Sequence, residues 1–295
     1  MKRRTLLKFA AGGALGAGLL PLWRQQVGGP ASRPASVPPV ATPAPAPPPP
    51  PAKATLPDRA ERIRRFDEDL PGDVYLPAER RPVFLATLAR LERVRDLVGH
   101  GNFALLGFDA MLRYARGHAS VGAFPPDELA FMEEIFALDA RRLGFEGPRV
   151  LPRLTATIPV AETVKVPGTG NYLYRDISLS LYRRLRRDVG ESLILTSGIR
   201  GIVKQMHLFL AKARRTGGNL SRAARSLAPP GHSYHGIGDF DVGKAGFGHA
   251  NFTARFAETE EFRRLRQLDY VRIRYPEDNT TGVRYEPWHV RVVSA

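Results

Sequence analysis

Ser233-Tyr234-His235-Gly236-Ile237-Gly238-Asp239-Phe240-Asp241, answered further along by Glu286-Pro287-Trp288-His289, is the part of the chain that decides its reading. A hydrolytic zinc ion takes three protein ligands of the His, Asp or Glu type, keeps one position open for water, and works beside a carboxylate that is not a ligand. His235, Asp241, His289 and Glu286 supply those four parts. Cysteine is absent from the 295 residues, which excludes disulfides and thiolate ligation. Any metal must therefore sit on His and carboxylate.

The elements around these residues alternate in type. Leu193-Ile194-Leu195-Thr196 is a short apolar strand, Ser197-Gly198-Ile199-Arg200 a turn, and Ile202, Met206, Phe209, Leu210 and Ala213 mark one face of a helix closed by Gly217-Gly218-Asn219. Strand signals return at Tyr270 to Tyr275, Val283 to Tyr285 and Val290 to Val293, where apolar and charged residues alternate. This predicts a mixed α+β domain with an antiparallel sheet over residues 155–295; no βαβ pattern or glycine-rich phosphate loop is present. Residues 58–154 read as a helical subdomain. Phe84, Leu88, Leu91, Val94 and Val98 recur at helical steps through Arg81–Val98, with Gly99 as a stop. A second helix is expected over Asn102–Arg116 and a third after Pro125-Pro126-Asp127-Glu128. His100 and His118 have no partner at ligand spacing there and read as structural or surface groups.

Residues 1–29 read as an export signal. Lys2-Arg3-Arg4-Thr5-Leu6-Leu7-Lys8 precedes an apolar stretch from Phe9 to Trp23, and the adjacent arginines resemble the twin-arginine type. Residues 30–57 are a Pro/Ala-rich linker that has nothing with which to build a core. The localisation expected is the periplasm or cell envelope, with membrane contact only through an uncleaved signal. The formal charge is +15, but Lys2, Arg3, Arg4, Lys8, Arg24, Arg33 and Lys53 face no acid in residues 1–57, leaving +8 for the remainder. That excess suits an anionic wall polymer; without an arginine-aromatic recognition motif, nucleic acid is not an expected partner.

Four marks stand in order: Ser197-Gly198-Ile199-Arg200 with Gln205, Ser233-Tyr234-His235 with Gly238 and Asp241, Arg274-Tyr275-Pro276, and Glu286-Pro287-Trp288-His289. In them the chain, over roughly residues 165–295, resembles the zinc D-alanyl-D-alanine carboxypeptidases and dipeptidases, whose fold is shared with lysostaphin-type endopeptidases and hedgehog signalling domains. The resemblance implies that His235, Asp241 and His289 bind Zn2+, with Glu286 as general base acting on zinc-bound water. It implies that Arg200 steadies the oxyanion or grips a substrate carboxylate, and that Ser233, Gln205, Tyr275 and Trp288 contact substrate. The substrate implied is a peptidoglycan stem peptide. A peptidoglycan endopeptidase, or a non-catalytic wall-binding module on the same fold, are the alternatives.

One departure leaves a ligand open. The family places its Asp seven residues after the first His, whereas Asp241 lies six after His235. Strand side chains alternate, so the shorter spacing turns Asp241 away unless the backbone bulges or the loop shortens. Asp239 shares its parity and is the rival ligand. His232 and His249 match no family ligand, and the cluster Arg183-Arg184, Arg186-Arg187 reads as a solvated helix face.

Overall fold

Phe84, Leu88, Leu91 and Val94 lie buried along one side of an 18-residue helix, Arg81–Val98, as their spacing requires. A computed structural model describes residues 58–292, so the signal and linker expected over 1–57 lie outside the described residues. In chain order the elements are helices α1 (Arg59–Arg64), α2 (Arg81–Val98), α3 (His100–Leu105), α4 (Phe108–Gly117) and α5 (Pro126–Ala137). There follow strands β1 (Thr163–Lys165) and β2 (Tyr172–Tyr174), helix α6 (Ser178–Val189), strand β3 (Leu193–Ser197), and helices α7 (Ile202–Arg215) and α8 (Leu220–Ala224). Strand β4 (Phe240–Lys244), helix α9 (Glu260–Gln267) and strands β5 (Ile273–Tyr275) and β6 (Glu286–Val290) complete the chain. The expected α+β class is what the chain adopts. No helix of the described residues is long and apolar enough to cross a membrane.

Two expected elements are drawn differently. The single helix over Asn102–Arg116 is two, because Leu106 turns extended at ψ 121 and Gly107 opens α4 in an extended conformation. The carbonyl of Ala104, at the end of α3, accepts instead from the backbone N–H of Gly201, 2.8 Å away. A tertiary hydrogen bond thus replaces the next helical one. The strands expected at Val283–Tyr285 and Val290–Val293 are also replaced by one, β6, which carries Glu286, Pro287, Trp288 and His289 itself; Val293 lies outside the described residues. Arg284 cannot join the sheet, since its N–H donates to the Arg225 carbonyl. Pro287 cannot donate to a ladder, and the register between β5 and β6 shifts across it, from Ile273 opposite Val290 to Tyr275 opposite Glu286.

The main sheet is antiparallel, in the order β3-β4-β6-β5. Helices α6 and α9 cover it around Leu185, Phe240, Phe256, Phe262 and Val290. A second core joins α2 to α5 with the inner face of α7, through Val203, Met206, Phe209, Leu210 and Ala213. The helical region and the sheet region therefore share α7. A salt bridge at 2.7 and 3.0 Å from Arg90 to the buried Glu128 ties α2 to α5. The other face of α7, with Lys204, Leu208, Lys212 and Arg215, looks into a cleft beside the sheet.

Candidate metal centre

Asp241 on β4 and His289 on β6 are direct partners across the antiparallel ladder, which puts both side chains on one face. His235 arrives from the short helical turn Tyr234–Ile237 just before β4. That turn closes at Gly238 with φ +119, where a Cβ would meet Ser178 Oγ at 2.9 Å, so only glycine serves. Pairing of β4 with β6 covers Phe240–Val290 and Asp241–His289, and Asp241, Glu286, Trp288 and His289 of these two strands line a cleft. A bulge in β3 between Leu195 and Ser197 brings Ser197 opposite Asp241, while His235 lies on the turn before β4 and not on a strand, so strand alternation does not govern the His–Asp spacing.

One donor atom each of His235, Asp241 and His289 lies within 4.8 Å of the other two, and all three residues are buried. Their hydrogen bonds fix which atoms face inward. His235 Nδ1 donates to the Gly198 carbonyl at 2.8 Å, leaving Nε2 as the lone pair, 3.4 Å from Asp241 Oδ1. His289 Nε2 donates to Asp239 Oδ2 at 3.2 Å, leaving Nδ1, 3.6 Å from Asp241 Oδ1. Asp241 Oδ1 is buried with no hydrogen-bond partner. A buried carboxylate oxygen without a donor is costly unless a cation takes its place. Two imidazole nitrogens and one carboxylate oxygen fit a borderline divalent ion such as Zn2+.

The proton affinities fit the same arrangement. Burial and the neighbouring Arg200 cation push His235 down to about 4. Burial acts to raise Asp241, but His235, His289 and Arg200 outweigh it and bring the carboxyl to about 2. Burial acts to lower His289, yet hydrogen bonds to Asp239 and Glu286 and the charge of Asp241 raise it to about 9. A proton on His289 Nδ1 at neutral pH is one that an entering metal must displace.

Asp239 and Asp241 flank the same imidazole from opposite ends, as their common parity allows. Asp239 also accepts from Arg274 at 2.6 and 3.0 Å and from the Val292 N–H at 2.8 Å. Its oxygens are committed, and its place is to hold the His289 ring with Nδ1 inward, a support that strengthens a ligand. Neither this support nor the part of Arg274 in it was apparent from sequence; the adjacency of two aspartates was the only signal.

The cleft has a volume of about 540 Å3 and is lined by Ser233, Tyr275 and Trp288 as well as by Arg200 and Glu286. Glu286 Oε2 lies 3.3 Å from His289 Nδ1. The Arg200 guanidinium donates to Gln205 Oε1 and Ser197 Oγ, each at 3.2 Å, and sits 3.7 Å from Asp241. Gln205 does not line the cleft: it is buried behind Arg200 and donates to the Ala228 carbonyl, so it positions the guanidinium. His232 is engaged elsewhere, with Nδ1 on the Gly147 carbonyl, whereas exposed His249 stands at the cleft wall. Sequence reading missed Phe66, Lys204, Lys212 and Arg284, which also line the cleft. Burial lowers the Lys204 ammonium to about 8, helped by Arg200.

Residues 179–295 match the family model described as VanY, D-alanyl-D-alanine carboxypeptidase. The matched segment carries strands β3 to β6. Among solved structures, a vancomycin-resistance D,D-pentapeptidase VanY variant from the VanB-type resistance cassette, in complex with Zn(II), is 28% identical, covering 46% of this chain and 83% of that one at TM-score 0.37. VanYB in complex with D-alanine-D-alanine is 28% identical, covering 45% and 77% at TM-score 0.38. The LD-carboxypeptidase LdcB is 24% identical, covering 44% and 63% at TM-score 0.37. No curated protein matches the chain significantly. The matched segment contains all the candidate metal-centre residues, whereas Phe66 comes from outside it.

Proposed function

We propose that the chain is an exported, zinc-dependent D-alanyl-D-alanine carboxypeptidase that trims peptidoglycan stem peptides. The observation that carries this reading is the convergence of His235 Nε2, Asp241 Oδ1 and His289 Nδ1 beside Glu286, at the base of a cleft walled by cations. The match of residues 179–295 to a D-alanyl-D-alanine carboxypeptidase family supports the substrate class. Support for export comes from residues 1–29, with residues 30–57 as spacer.

His235, Asp241 and His289 would hold the ion, which when bound supplies a Lewis acid that polarises the scissile carbonyl and acidifies water. Glu286 stands within hydrogen-bond reach of the same space and is not needed as a ligand. Its carboxylate takes a proton from the attacking water and returns it to the leaving amine. Arg200, braced by Ser197 and Gln205, presents a planar cation to the terminal carboxylate of the peptide. Tyr275 packs edge-on to His289, with ring centroids 5.0 Å apart, and with Trp288 it limits water around the scissile bond.

The test is incubation of the purified protein, with zinc and separately with chelator, on a pentapeptide ending in D-Ala-D-Ala, with products identified by mass spectrometry. Zinc-dependent loss of one D-alanine is the expected result. Cleavage at an internal bond makes the protein an endopeptidase, and zinc binding without cleavage makes it a binding module. Glu286→Gln is expected to keep zinc and lose about 10²- to 10⁴-fold in kcat.

A further inference from the structure

The cleft is longer than a metal centre and one terminal residue require. Lys204, Leu208 and Lys212 follow one another at steps of four along α7, and all three line it. At the helical rise this places Lys212 roughly 12 Å along the axis from Lys204. Lys204 stands at the metal end, where the charges acting on it are those of Arg200 and Asp241. Lys212 stands at the other end, among Arg284, Arg215, Arg222 and one acid, the exposed Asp67.

Arg284 lines the same wall, next to Glu286. Its guanidinium carbon lies 4.8 Å from the ring centroid of Phe66 and 4.9 Å from that of Trp288, a cation between two aromatic faces. Nη2 donates to the Phe252 carbonyl at 2.9 Å. The Arg284 Nε is buried without a hydrogen-bond partner and is 3.9 Å from Glu286 Oε1. Among the described residues no carboxylate comes within 4.0 Å of Lys204, Lys212 or Arg215. Like charges gathered on one partly buried wall repel one another, and an anion entering the cleft relieves that repulsion. The ring stacking orders the guanidinium beforehand, so binding costs little further entropy.

We propose that Lys212 and Arg284, walled by Phe66, form a second carboxylate-binding subsite that takes a free carboxylate on the N-terminal side of the scissile bond, in a peptide whose C-terminal carboxylate is held by Arg200. An extended peptide advances about 3.3 Å per residue, so the roughly 12 Å of α7 from Lys204 to Lys212 runs alongside three to four residues of it. The position of the terminal carboxylate rests on the carboxypeptidase reading; the subsite itself rests on the cleft wall. Phe66 is brought there by the segment before α2. Arg225, buried, binds Asp73 at 2.7 and 3.0 Å, and its guanidinium also donates to the Phe66 and Glu68 carbonyls at 3.3 and 2.6 Å.

Two acetylated pentapeptides test the proposal, Ac-L-Ala-γ-D-Glu-L-Lys-D-Ala-D-Ala with the glutamyl α-carboxylate free, and the same peptide with that group as a carboxamide. Their affinities for the zinc-loaded Glu286→Gln protein are measured by calorimetry, and their kcat/KM values with the unaltered protein. A preference of about 10- to 100-fold for the free carboxylate is expected in both. Lys212→Met and, separately, Arg284→Gln should bring that ratio to within about threefold of unity, provided each variant melts as a folded protein. Equal affinity for the two peptides, or a preference that survives both substitutions, overturns the subsite. A preference in binding without release of D-alanine from either peptide keeps the subsite and removes the carboxypeptidase reading.

Discussion

At the scale of single residues, the two aspartates near His289 have separable roles. Asp239→Asn leaves the three inward donor atoms in place and is expected to weaken zinc affinity by about 10- to 100-fold, because the amide holds the His289 ring less firmly. Asp241→Ala removes a proposed ligand and is expected to abolish stoichiometric zinc. Competition with a chromogenic chelator distinguishes the two, and the reverse order would exchange their roles. Zinc uptake should also be linked to protons. His289, raised to about 9, is protonated below that pH and must give up its proton to bind metal. Affinity is therefore expected to rise about tenfold per pH unit from neutrality towards 9 and to level off above it. Calorimetry at pH 7 in buffers of different ionisation enthalpy should find close to one proton released per zinc. The residue types of His235 and His289, with Glu286 three residues before the second, marked a candidate metal centre in the sequence. Parity could not separate Asp239 from Asp241, since both point to one face; Arg274, from another strand, does so.

At the scale of elements, the turn from β3 to α7 carries Arg200 and is fastened at several points. Ile199 N–H donates to the Tyr172 carbonyl at 2.8 Å, Arg200 N–H to the His235 carbonyl at 3.2 Å, and Gly201 N–H to that of Ala104 at 2.8 Å. Gly198 lies inside this stitching: a Cβ there would stand 2.1 Å from the Tyr172 carbonyl oxygen. Gly198→Ala is expected to push the turn off β2, moving Ser197, Arg200 and the acceptor of His235 Nδ1 together. The cost should fall in the range of about 1–3 kcal/mol usual for overpacking, with a disproportionate loss of kcat/KM on the D-Ala-D-Ala peptide. Denaturant melts and steady-state kinetics check it; a stable variant with unchanged kinetics would show the turn to be slack. The apolar period of α2 and α7 was readable because it follows from helical geometry alone. The break between α3 and α4 was not, because it depends on a hydrogen bond to Gly201.

At the scale of the whole molecule, residues before α2 are tied to the segment that matches the VanY model by a buried charge network. Asp73 accepts from Arg225, from Arg62 at 2.8 Å and from Asn219 at 2.7 Å, and its side chain is shielded from solvent. Burial acts to raise its pKa, but hydrogen bonds from Arg225 and Asn219 outweigh it and hold the carboxyl below its ordinary value. Its folded pKa being depressed, its contribution is present above the unfolded value of about 3.9 and is lost as pH falls through the folded one. Asp73→Asn is expected to destabilise by about 3–5 kcal/mol by leaving Arg225 buried without its counter-charge. Asp73→Asn combined with Arg225→Met should recover part of that loss in thermal melts; no recovery would mean that the two do not act as a pair. Sequence alone determined the absence of thiol ligands and the helical faces, and marked the two histidines as candidate ligands, because residue chemistry and local periodicity are properties of neighbours along the chain. Only the tertiary structure decided which aspartate faces inward, that Gln205 stands behind Arg200, and that Phe66 joins the cleft wall. Those depend on contacts across long separations, such as Arg225 with Asp73, which leave no periodic trace in the chain.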